Sequence, residues 1–143
     1  MKKYAKKVLC LALAVLLVSS MAVPAAAETA TGTGKYGNNY GYSWSVYCAD
    51  TYGTAQISAN GSPVYVKAYA ECTVYNADLR VTGISSSVLN VNEVPSYYVS
   101  AFARADNSFT YYGQTWTGEV QKTMGKFWVD DELVVLGVFA FPG

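Results

Sequence analysis

The chain contains no histidine, and charged residues fill only 14% of its 143 positions. Without an imidazole, Ser-His-Asp and Cys-His nucleophile systems are excluded, as is any zinc site that needs a His ligand. Three cysteines are too few for a four-thiolate zinc site. No GxxxxGK[ST] sequence occurs, which removes the P-loop cradle for nucleotide phosphates. Long apolar runs are missing too. The N-terminal run from Val8 to Val18 covers 11 residues, against the about 20 that a bilayer-spanning helix requires.

That run is preceded by Lys2, Lys3, Lys6 and Lys7 and followed by the small residues Ala25-Ala26-Ala27. A positive head, a short apolar core and a small-residue exit predict a bacterial Sec-type secretory signal, cleaved after Ala27, and a secreted product. Removing residues 1–27 leaves 116, carrying six Lys and Arg against ten Asp and Glu, a formal charge of −4. Such a chain lacks the basic footprint that nucleic acid or an anionic membrane surface requires, so neither is expected as a partner. No stable membrane span is expected after cleavage, and no cofactor.

Cys10 leaves with the signal, so the exported part keeps Cys48 and Cys72. Two cysteines in an oxidising compartment predict one disulfide. It would close a loop of about 25 residues, worth about 3.5 kcal/mol in the chain-entropy description.

Residues 28–39 carry three glycines and almost no large aliphatic side chain, and are expected to form a flexible lead. Residues 40–143 then read as one domain. Tyr40, Tyr42, Trp44, Val46 and Cys48 alternate with Gly41, Ser43, Ser45 and Tyr47, the period of a half-buried strand. Ala55, Ile57 and Ala59 repeat the pattern, and Asn60-Gly61-Ser62-Pro63 reads as a turn. The clearest strand runs from Val64 to Tyr75, with Val66, Ala68, Ala70, Cys72 and Val74 on one side and Tyr65, Lys67, Tyr69, Glu71 and Tyr75 on the other. Parity thus places both cysteines on core-facing sides.

Leu79–Ile84 and Val88–Val94 predict shorter strands. Residues 95–105 and 119–128 fit either a strand or a helix. Tyr97-Tyr98-Val99 and the cost of Gly125 inside a helix tip both toward strand. The apolar run Leu133–Phe141 is expected as a final strand covered on both faces. Together these predict an all-β fold: a small antiparallel β-sandwich, or a partly open barrel, of about seven to nine strands.

Chemistry is sparse. Paired carboxylates of the glycosidase kind are the one conventional catalytic option, with Glu71, Glu93, Glu119, Asp50, Asp78 and Asp106 as candidates. Asp130-Asp131-Glu132 lacks the alternating spacing of a calcium loop and reads as a solvated turn. Aromatic residues are abundant instead, with 13 tyrosines. Tyr65, Tyr69 and Tyr75 form a row on one strand face, and Trp116 lies between Gly113 and Gly118, either as a stacking platform or as a plug over the core. Tyr and Trp offer rigid amphipathic area for sugars or proteins. The sequence therefore predicts a secreted, non-catalytic β-sandwich that binds an extracellular glycan or protein through Tyr65, Tyr69, Tyr75 and Trp116. A toxin-like protein, a structural surface protein and a small carboxylate-dependent hydrolase are the rival readings.

Overall fold

A computed structural model describes residues 28–37, 40–85, 88–91 and 96–143. The expected export signal, residues 1–27, and Glu93 lie outside the described residues. The described chain is all-β and antiparallel, without helix. Its strands are β1 (Thr29–Tyr36), β2 (Tyr40–Cys48), β3 (Tyr52–Val64), β4 (Val66–Asn76), β5 (Val81–Ile84), β6 (Val88–Val91), β7 (Ser96–Asp106), β8 (Ser108–Tyr111), β9 (Gln114–Thr117), β10 (Glu119–Val129) and β11 (Glu132–Ala140). This is more than the seven to nine expected. The first sheet has the order β1-β2-β3-β7, and the second has β11-β10-β4-β5 with β6 also on β4. A small hairpin joins β8 to β9.

Period-two patterning decides the inward faces. In β4, Val66, Ala68, Ala70, Cys72 and Val74 are all fully buried, as their alternation requires. The two ambiguous segments are strands β7 and β10: Val99, Ala101, Ala103 and Ala105 face inward from one, and Phe127 and Val129 from the other. Both sheets feed one cluster dominated by Val and Ala. Across it, Trp44 of β2 stacks on Phe127 of β10 with ring centroids 5.8 Å apart.

Four expectations are corrected. The lead is no flexible tail over residues 29–36, since it forms edge strand β1 in register with β2. Gly32 and Gly34 lie directly opposite Trp44 and Tyr42, whose rings occupy the space a Cβ would need. A glycine-rich strand is thus covered by its neighbour's aromatics, a contribution its own residues do not announce. The Asn60–Pro63 segment is no turn: β3 continues to Val64, with a register shift against β7 between Asn60 and Val64. The strand breaks instead at Tyr65, and β4 continues from Val66 in the second sheet. β11 is not covered on both faces. It is the outer strand of its sheet, with Leu133, Leu136 and Phe139 exposed and only Val138 and Ala140 buried.

The fourth correction concerns the disulfide. Cys48 and Cys72 are both buried, as their parity demands, but they are free thiols. Thr123 hydrogen-bonds to both: its hydroxyl lies 3.5 Å from Cys72 Sγ and also engages Cys48. Cys72 further donates to the Ala105 carbonyl at 3.5 Å, and Cys48 to that of Ala49 at 3.8 Å. The sulfurs are satisfied by hydroxyl and backbone partners rather than by each other.

Burial pushes the Cys48 thiol up to about 11 from its ordinary 9, and raises Cys72 as well. A thiol that ionises later in the folded state holds its proton where the unfolded chain has lost one. Its stabilising effect is therefore complete below about pH 9 and disappears as pH climbs through about 11. Denaturant titrations at pH 8 and pH 11 should differ by roughly 2–3 kcal/mol from Cys48 alone. A colorimetric thiol reagent should read none in the native protein at pH 8 and both once it is unfolded.

Candidate functional site

The tyrosine row stands on the outer side of β4, but its members differ. Tyr65 and Tyr75 are exposed, while Tyr69 is half-buried. The Tyr69 hydroxyl donates to Glu71 Oε2 at 2.6 Å, and the Lys126 ammonium sits 5.6 Å from its ring centre. Trp116 belongs to β9, opposite Phe109 of β8, and its ring packs against the core cluster. Its indole N–H is buried without a hydrogen-bond partner among the described residues. The structure therefore gives Trp116 the place of a plug and does not join it to the tyrosine row.

Of the candidate carboxylates, Glu71 and Asp106 hold structural partners, as do Asp130 and Asp131 of the acidic triplet. Asp130 and Asp131 are the two central residues of the β10–β11 hairpin, both at positive φ, as a two-residue primed turn requires. Asp130 Oδ1 accepts from the Tyr65 N–H at 2.8 Å, and Asp131 pairs with Lys67. Asp106 accepts from both the N–H and the hydroxyl of Ser108, which hold its carboxyl below the usual range. Glu71 is taken by Tyr69.

Concavity lies on the other side of the molecule. The outward positions of the first sheet align across strands by register. Thr31, Ser45, Gln56 and Phe102 make one row, and Thr33, Ser43, Ser58 and Ser100 the next. Small side chains in the middle of the sheet leave two adjoining open hollows of about 450 and 350 Å³. They are lined by Thr31, Thr33, Ser43, Ser45, Gln56, Ser58 and Asn60, with Lys35 at one end. Apart from Lys35 the lining is uncharged.

The opposite end is aromatic and cationic. Thr29, Tyr47, Thr54 and Arg104 form a further row. The Tyr47 and Tyr52 rings lie 5.7 Å apart, and the Arg104 guanidinium sits 4.1 Å above the Tyr52 ring. Stacking covers a face of the guanidinium and leaves its in-plane donors available.

This face escaped the sequence reading although its signal was present. Gly41, Ser43, Ser45 and Tyr47, and likewise Thr54, Gln56 and Ser58, are the alternate residues that face away from the apolar side. Their use as a surface depends on β1, β2, β3 and β7 being neighbours, which pairing alone decides. No protein family, curated protein or solved structure matches the chain.

Proposed function

We propose that this is a secreted, non-catalytic β-sandwich protein that binds an extracellular polymer, a glycan, through the outer face of its first sheet. The observation that carries this reading is the hollowed floor of hydroxyl and amide side chains beside the Tyr47–Tyr52 pair. A saccharide offers hydroxyls that exchange hydrogen bonds with Ser, Thr and Gln, and apolar ring faces that stack on tyrosine. The signal-like N-terminus would deliver the protein to where such polymers are found. Tyr65 and Tyr75, on the opposite face, supply a lesser aromatic surface.

Ser58→Trp tests the site by filling the floor from an outward position. Retention of the purified protein on insoluble or immobilised polysaccharides should fall at least tenfold, with thermal stability unchanged. Tyr69→Ala should leave retention within twofold. The reverse ranking would move the site to the tyrosine row, and no retention across a broad polysaccharide panel would end the glycan reading.

A second reading, a structural surface protein, is favoured by β11. Leu136 is 78% exposed on this outer strand, and no charged residue interrupts Leu133–Ala140. Exposed apolar edge strands pair with other chains unless guarded by charge. Light scattering of the wild type should show assembly that rises with concentration and is lost in Leu136→Lys. A monomer at all concentrations would dismiss this role.

A further inference from the structure

The two ends of the groove differ from its floor in charge. Lys35 and Arg104 both face outward from the first sheet, on β1 and β7. Neither makes an ion pair among the described residues, where Lys67–Asp131 is the recorded pair. The nearest acid along β7, Asp106, is held first by Ser108 and also feels the Arg104 charge, without forming an ion pair with it. Between the cations the polar side chains of the floor are hydroxyl and amide groups, with no further charge. Their rows lie six residues apart along the strands and three strands apart across them. At about 3.3 Å per residue and about 4.8 Å per strand, the cations stand about 25 Å apart on a diagonal across the hollows.

The geometry points to an acidic glycan as the ligand: a sugar chain with carboxylates, laid along this diagonal, its hydroxyls on the Ser/Thr/Gln floor and its acid groups at Lys35 and Arg104. The inference rests on the glycan reading of the same groove and adds the charge of the ligand. Planar guanidinium donors match a carboxylate in a two-pronged geometry, which a neutral sugar cannot exploit. Bulk attraction is not the cause, because the chain beyond residue 27 has a net charge of −4 and repels polyanions as a whole. Selection must come from the two local cations.

The test compares each of polygalacturonate, alginate and hyaluronan with its fully methyl-esterified form, which keeps the backbone and removes the charge. Binding is measured by titration calorimetry at low and at 300 mM salt, with polyglutamate as a polyanion without sugar. At least one acidic polymer should bind tenfold or more tightly than its ester. Arg104→Gln and Lys35→Gln should each reduce that preference about threefold to tenfold and flatten its salt dependence, since screening weakens exposed charge pairs. Ser58→Trp should abolish binding altogether. Equal affinity for acid and ester, still lost in Ser58→Trp, would overturn the acidic ligand and leave the glycan site standing. Polyglutamate binding as tightly as the acidic sugars would also overturn it. No binding to either member of any pair would overturn the acidic ligand and leave the glycan reading to the broad polysaccharide panel.

Discussion

Phe127→Ala is expected to lower the melting temperature by about 10–20 °C, the larger of two core effects. Phe127 is among the largest fully buried side chains and lies beneath Trp44 of the facing sheet. Truncation removes its transfer free energy and leaves a cavity that flanking strands cannot close, a combination that costs about 3–5 kcal/mol. For a domain whose total stability is about 5–15 kcal/mol, that is a large part of the whole. The small residues around the ring make relaxation harder, because Val46 and Gly125 are held by two different sheets. Phe102→Ala is the control. That ring is 46% exposed on the outer face of β7, so its loss should cost under about 1 kcal/mol. Thermal melts by circular dichroism decide between the two, and equal shifts would contradict the assigned core.

Gly118→Val should be nearly as damaging for a different reason. Gly118 links β9 to β10 where the chain passes against β4, and a Cβ there would overlap the Tyr75 carbonyl. A backbone obstacle cannot rotate away as a side chain can. The same corner carries a closed polar network. Gly118 N–H donates to the Asn107 carbonyl at 3.1 Å, Asn107 Nδ2 to the Gly118 carbonyl at 2.8 Å, and Asn76 Nδ2 to the Thr117 carbonyl at 2.6 Å. Displacing the strand strains all three bonds, so a loss of about 2–4 kcal/mol is expected, combining overpacking with unsatisfied polar groups. Gly113→Ala separates crowding from conformation. Gly113 has φ of +74° but nothing within 4 Å of an added Cβ, so only the left-handed backbone cost of about 1–2 kcal/mol applies. Urea midpoints that rank Gly113→Ala as the worse substitution would refute the close approach at Gly118.

The contrast between β4 and β1 shows how far residues alone could lead. Each residue of β4 declares its side, because Val, Ala and Cys alternate with Tyr, Lys and Glu. That pattern fixes a strand wherever it is placed, and with it the inward direction of both thiols. β1 declares nothing, because glycine has no side chain to bury and Gly32 and Gly34 acquire their cover from Trp44 and Tyr42. β11 misleads in the other direction, since an apolar run reads alike in the middle of a sheet and at its margin.

Local patterning thus pointed to an all-β chain and set which side of β2 and β4 turns inward, and the absence of histidine made catalysis by histidine impossible. Pairing between distant strands decided the rest. Placing β1 beside β2, and β3 beside β7, assembled the hydroxyl floor from residues up to about 70 positions apart, and Thr123 reached Cys72 as its register partner on β4 and Cys48 through the packing of β10 against the first sheet. Alternation sets direction within one strand, whereas adjacency is settled by which faces fit together once all of them are folded.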